Sequence, residues 1–469
     1  MNRRALRFAL ANSTNSKNRK AFLRNASSYD IPYNKGIPVL GTSLAIGAAG
    51  GAPKLHEYVD NRHKEFGHVF RENMGSVSAV FVSNPSIIRK IFLVEGKYPR
   101  HFVPKAWTLY NELHNCKRGL FFMEGDEWYK WRKLMNKYFL SPSTLDDLKN
   151  VHEGIIEGFV KRWKKFDGRE VSDMEFEFYR HSISFVLGSL IGDSYLRQAD
   201  KYDNYVTELA TKFQSVFETS SKLNILPSVK IVQFLRLPLW GKFESSVTSS
   251  LDASKKVVSM ALEDLSKNGL LSKLSVNEGI PADMISALVA DLLIAAGDTT
   301  AFTSQWAVYR LGRDANIQNS ARQDSTLIRG AVRETLRLYP SAPFITRILP
   351  KDETIDGYKF NAGELVLLSL YTAGRNDELY PRADLFEPER WVKRNSGGYA
   401  GVTDVNGFLP FAMGSRSCIG ARLANIQLQT TIRQLIENFS VKTLEDVEMV
   451  LRLVPVPSKP LRIKIDSLK

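Results

Sequence analysis

The stretch from Pro281 to Gly312, the longest continuous helical pattern in the 469 residues, limits most strongly what this chain can fold into. Proline suits a first helical turn because its missing N–H would be unpaired there anyway, and Gly312 suits a C-terminal cap. About thirty residues at 1.5 Å each make a helix of roughly 45 Å, long enough to cross a large domain. Asp283, Asp291 and Asp298 lie within it, so it does not read as a membrane span. Elsewhere no run of about 18 uninterrupted apolar residues occurs. The run from Val39 to Pro53 is mostly Gly, Ala and Ser and is too short to span.

Around this helix the pattern separates by type. Lys54 to Phe66 reads as a helix. Val69-Phe70-Arg71 and Val77 to Val82 alternate like a hairpin of short strands. Ser143 to Asn268 keeps a helical period with few turn signals, and Leu349 to Leu370 returns to strands and turns, with Asp356-Gly357 and Asn361-Ala-Gly363 as breakers. The predicted fold class is α+β, mainly helical with small segregated sheets. With 43% hydrophobic residues a large core is available, and no linker, repeat or low-complexity break follows the N-terminus.

The chemistry concentrates in Phe411-Ala-Met-Gly414-Ser-Arg416-Ser-Cys418-Ile-Gly420, just ahead of an amphipathic helix, Ala421 to Asn438. A thiolate at a helix N-terminus is stabilised by unpaired backbone N–H groups and the helix dipole. Gly414 permits the turn, Gly420 lets a flat ligand approach the backbone, and Arg416 can neutralise an anionic substituent. Taken alone, a free cysteine is more often a buried small hydrophobe. The chain has two cysteines, which make neither a zinc site nor a disulfide framework, and a Cys116–Cys418 bridge would consume the reactive one.

The full Phe-x-x-Gly-x-Arg-x-Cys-x-Gly pattern resembles the haem-binding signature of the cytochromes P-450, the haem-thiolate monooxygenases. The resemblance covers the chain from Ile31 onward and implies one large domain, residues 29–469, holding haem b with Cys418 as axial iron ligand. It also orders the remaining motifs. In Ala295-Ala296-Gly297-Asp298-Thr299-Thr300, an acid precedes two hydroxyls that can bond back along the helix. A polar face toward solvent reads equally well from the residues, whereas the family's acid–threonine pair implies proton delivery by Asp298 and Thr299. Ala296 stands where the family usually has glycine. Trp128 and Arg132 lie four apart on one helix face; the resemblance makes them, with Arg347 and Arg416, contacts of the haem propionates. Glu334, Arg337 and Arg390 match the family's buried structural triad.

Electron supply follows from the same resemblance. Arg329 and Arg333, four apart on the helix that carries Glu334, and Arg422 after the cysteine correspond to cations that bind a ferredoxin in mitochondrial members. The formal net charge of +14 agrees with an acidic partner, and no aromatic–basic interleaving suggests nucleic acid. Before Ile328 the chain is about twenty residues shorter than is usual in the family. Upstream of Asp30 there is no acidic residue, while Arg3, Arg4, Arg7, Lys17, Arg19, Lys20 and Arg24 are basic among Ser, Asn and Ala. Residues 1–28 thus read as a mitochondrial presequence, placing the enzyme on the matrix side of the inner membrane, with peripheral contact to it.

The expected activity is hydroxylation of a hydrophobic, sterol-like substrate with O2 and ferredoxin electrons. The run Ile37-Pro38-Val39-Leu40-Gly41-Thr42 with Lys54-Leu55-His56-Glu57-Tyr58 is similar to arthropod ecdysteroid hydroxylases, nearest the 2-hydroxylase branch, and so points to an ecdysteroid precursor. By position Phe102, Trp107, Ala295, Phe344, Ile345 and Val454 would line the pocket, or serve as ordinary core. The rivals are a haem-thiolate isomerase or dehydratase that needs no external electrons, against which Asp298-Thr299 counts, and a non-catalytic haem or steroid binder.

Overall fold

A computed structural model describes residues 30–468, apart from Val39, Ser76, Ile225 and Pro227; the expected presequence, residues 1–28, lies outside the described residues. In chain order the elements that position the site are β1 (Tyr33–Asn34), α1 (Leu55–Phe66), β2 (Val69–Met74), β3 (Val77–Val82), α2 (Pro85–Val94), α3 (Gly125–Phe139), α4 (Met174–Ile191), α5 (Ala199–Asn224), α6 (Pro238–Glu263), α7 (Ala282–Arg313), α8 (Ala315–Gln323), α9 (Ser325–Leu338), β4 (Phe344–Ile348), β5 (Leu365–Ser369), α10 (Ala421–Asn438) and β6 (Met449–Arg452).

The central helix α7 packs against α4, α6 and α10, and most of its residues are buried. Its hydropathy suffices for a membrane span, yet its apolar surface is covered by protein, as expected of a core helix. Pro281 is its N-cap residue. The expected C-terminal glycine is a correction. Gly312 sits inside the helix, where a Cβ would lie 2.9 Å from the backbone nitrogen of Thr443. Its role is close packing against a strand. The helix ends instead at Asp314, whose extended backbone lets its carboxylate accept from the N–H groups of Asn316 and Ile317 and so start α8. Asp324 repeats the device for α9, so one residue separates the two helices. The sequence reading assigned no helix to residues 315–323, because this cap pair is short and polar.

A five-stranded sheet runs in the order β1-β2-β3-β5-β4. The β2–β3 hairpin is antiparallel, as its alternation predicts, while β3 and β5 are parallel and bring residues almost 290 positions apart together. β4 closes the edge antiparallel to β5, with Arg347 opposite Val366. Asp356-Gly357 turns a separate hairpin, Glu353–Ile355 with Tyr358–Phe360. Helices and sheets are segregated, in keeping with the predicted class.

Beneath α9 lies the buried triad. Glu334 accepts from Arg337 at 2.6 and 2.9 Å, from Arg390 at 3.2 Å and from the Trp391 indole at 2.8 Å. The other Arg337 donors reach the carbonyls of Gly374, Ala383 and Leu385. Every charge there is paired and hydrogen-bonded, the condition under which a buried cluster is tolerable.

Candidate active site

The cysteine loop is closed by its own backbone. The Cys418 N–H donates to the Phe411 carbonyl at 2.9 Å, and Ala412 and Gly414 turn the chain with φ of 57° and 80°. α10 begins directly after Gly420, whose N–H donates to the Cys418 sulfur. A Cβ at Gly420 would meet only that sulfur, at 3.9 Å, so the space above the loop is open. Cys418 is accessible to water and yet enclosed by protein, the signature of an internal space. Burial pushes its thiol up, while the Gly420 N–H and Arg132 act in the opposite direction. A bound metal ion, as the largest local charge, would favour the thiolate form.

Three guanidinium groups converge near this loop. Arg132, on α3, is buried, carries no carboxylate partner among the described residues, and leaves Nε unbonded. Arg347, on β4, donates from Nε to Glu95 at 2.5 Å and leaves Nη2 unbonded. Arg416 donates to the carbonyls of Pro99 and Met123, both at 2.6 Å, and lies 4.3 Å from the centre of the buried Trp128 ring. Burial lowers the Arg416 pKa to about 10; Glu124 offsets part of this, and Arg347 and Arg132 add to it. Burial, then Arg416 and Arg347, push His101 down to about 3, and its Nε2 has no partner. Orphaned cationic donors beside an enclosed sulfur fit an anionic, flat, metal-bearing guest such as haem b, and the residues present could hold it.

The acid–threonine pair is split between two faces of α7. Thr299 is partly open and bonds back to the Ala295 carbonyl at 2.8 Å, as its sequence context predicts; Ala295 is exposed and Ala296 partly so, in the middle of a mostly buried helix. Asp298 is fully buried and accepts from the Tyr179 hydroxyl on α4, with Oδ2 unbonded. Burial pushes its pKa up to about 7, with Tyr179 and Arg452 pulling back. Of the expected lining positions, Phe344 and Ile345 are half-buried, Trp107 and Val454 are buried, and Phe102 is exposed.

Sequence reasoning missed Glu95, His101, Tyr179 and Arg118. Arg118 pairs with Asp291 of α7 at 2.6 Å and stacks on Phe122 and Trp107, tying the preceding loop to the central helix. Asp291, an acid inside the apolar helix, was the one signal for that pair.

Of the expected partner-facing cations, Arg329 and Arg422 are exposed, whereas Arg333 donates to the Tyr399 hydroxyl at 2.7 Å. Arg422 borders a surface depression of about 340 Å³ and Arg333 one of about 260 Å³; Asn425 lines both, and Phe411 of the cysteine loop lines the second.

Residues 31–465 match the family model described as Cytochrome P-450. A Drosophila melanogaster protein named cytochrome P-450 315a1, mitochondrial, is 39% identical over 93% of this chain and 88% of its own length. The mitochondrial cholesterol side-chain cleavage enzyme of Oncorhynchus mykiss is 24% identical over 89% and 86%. The mitochondrial 1,25-dihydroxyvitamin D(3) 24-hydroxylase of Mus musculus is 27% identical over 94% and 89%. Among solved structures, a retinoic-acid-bound cyanobacterial CYP120A1 shares the fold, with a TM-score of 0.75 over 94% of this chain and 100% of that one at 22% identity. With a match over nearly the whole described chain and a site of this donor set, the chain belongs to the cytochrome P-450 family and is a haem b monooxygenase of the mitochondrial kind.

Proposed function

We propose that this enzyme hydroxylates a sterol-type substrate, an ecdysteroid precursor, on the matrix side of the mitochondrial inner membrane with electrons from a ferredoxin. The balanced reaction is R–H + O2 + two electrons + two protons giving R–OH + H2O. The observation that carries it is the set of three guanidinium groups, two buried and one half-buried, with few anionic partners around an accessible yet enclosed Cys418. Bound haem b supplies the activation of dioxygen at its iron.

The chain's own residues do the rest. Cys418 ligates the metal, and the Gly420 N–H tunes the sulfur. Arg132 and Arg347, with their unbonded donors, hold the propionates; Trp128 stacks under Arg416 and fixes it beside them. Phe411 shapes the loop through its carbonyl. Thr299, on the open face of α7, presents a hydroxyl that positions water for proton transfer, and Asp298 is the proton reservoir behind it. The substrate class rests on the sequence likeness to ecdysteroid hydroxylases, and the names of the mitochondrial relatives that act on cholesterol and dihydroxyvitamin D(3) agree with it.

Ferredoxin would dock over Arg329 and Arg422, on the side where one depression borders the start of α10 and the other borders the cysteine loop. The shorter segment before Ile328 leaves α8 and α9 almost continuous on this side.

The test is product identification from a sterol panel with a mitochondrial ferredoxin system, together with Cys418→Ala. Loss of the thiolate-type spectrum of the reduced carbonyl complex in the variant supports the ligand. A retained spectrum, or wild-type turnover that needs no ferredoxin, refutes the reading.

A further inference from the structure

Glu95 has no part in the reaction as proposed, yet it is 4% exposed and its carboxylate meets both Arg347 and the cysteine loop. It caps the C-terminus of α2. Its Oε2 accepts from Arg347 Nε at 2.5 Å, and its Oε1 accepts from the Ser415 N–H at 3.2 Å. A Cβ on Gly414 would sit 2.2 Å from Glu95 Oε1, so the cysteine loop is closed down on this carboxylate, and the φ of 80° there favours glycine. One side chain thus joins the end of α2, strand β4 and the loop that carries Cys418.

The surrounding charges give the contact a second meaning. Arg132, Arg347 and Arg416 are buried or half-buried, while Glu124 is more than half exposed and His101 is held neutral by burial. The other buried acids are engaged elsewhere: Glu72 with Tyr58, Glu177 with Arg162, Asp291 with Arg118, Asp298 with Tyr179 and Glu334 with Arg337. Glu95 is therefore the interior anion at this edge among the described residues. Three cations and one anion leave an excess of two positive charges, and haem b carries two carboxylates.

Given the reading of Cys418 above, we propose that Glu95 is a positioning residue of the cofactor site, latching the cysteine loop to Arg347 and setting the cationic cradle to the charge of two propionates. A purely structural contact would affect unfolding and leave the iron's potential alone. A charge bonded to a cation that would hold the cofactor acts on the potential as well, because reduction adds an electron and a nearby anion opposes it. Glu95→Gln keeps the volume and an acceptor for Ser415 while removing the charge; Glu95→Ala removes both.

Full-length holoprotein and both variants are to be titrated spectroelectrochemically, and the thiolate-type carbonyl spectrum followed over time. Glu95→Gln should raise the potential and keep the spectrum. Glu95→Ala should raise it and also lose the spectrum several-fold faster than wild type. An unchanged potential in Glu95→Gln overturns the charge-setting role, and a wild-type lifetime of the spectrum in Glu95→Ala overturns the latch. If Glu95→Ala does not fold, Glu95→Gln alone decides. A wild-type protein lacking the thiolate spectrum would instead sink the assignment of Cys418.

Discussion

At Asp298 the structure sets a side chain singled out from sequence in an environment that its motif does not foretell. The motif identifies an acid beside a threonine, but the helix turns the two onto different faces, and α4 supplies Tyr179 as the partner of the acid. Burial holds its folded-state pKa at about 7, well above the ordinary aspartate range. The stability this group contributes is fully present below its unfolded pKa and is lost as pH rises through about 7. Asp298→Asn should remove that decline between pH 4 and 7, read as thermal unfolding against pH; an unaltered profile would show that another group titrates. Thr299→Ala, which removes the hydroxyl on the open face, should divert reducing equivalents to peroxide and lower product formation by about a hundredfold, the low end for a positioned proton-transfer group. The ratio of product to NADPH consumed measures this.

Elements meet in this protein through specific close approaches. On α9, a Cβ at Gly330 would lie 2.3 Å from the Pro388 carbonyl oxygen, just ahead of Arg390. Alanine is the better helix former by nearly 1 kcal/mol, so a surface glycine there would be a defect. Against an unyielding backbone the sign reverses: Gly330→Ala should destabilise by about 1–3 kcal/mol, because the helix and the Arg390 segment are forced apart. Denaturant unfolding decides the sign. Glu334→Gln should cost more, about 3–5 kcal/mol, because two guanidinium groups lose their shared charge partner in the interior. The triad was legible in sequence through the family's pattern. The Gly330 contact was not, since its partner lies almost 60 residues away.

Over the whole molecule, the net charge of +14 and the exposed Arg329 and Arg422 should make ferredoxin-driven turnover fall steeply with ionic strength. Arg329→Glu should weaken it by about tenfold at low salt, with peroxide-driven turnover little changed; equal losses in both assays would remove the docking face. Arg333 is the poorer probe, because its bond to Tyr399 makes it partly structural. What the sequence determined by itself were local periodicities and covalently contiguous motifs: the long α7, the β2–β3 hairpin, and the cysteine loop with its turn glycine. Each of these depends on residues near one another along the chain, where spacing alone fixes which side chains share a face. Only tertiary structure decided that Gly312 packs against a strand, that Asp298 faces Tyr179, and that Glu95 joins Arg347 to the cysteine loop. Those outcomes depend on desolvation and on charges brought together across hundreds of residues, and no local pattern encodes which distant group will fill a given space.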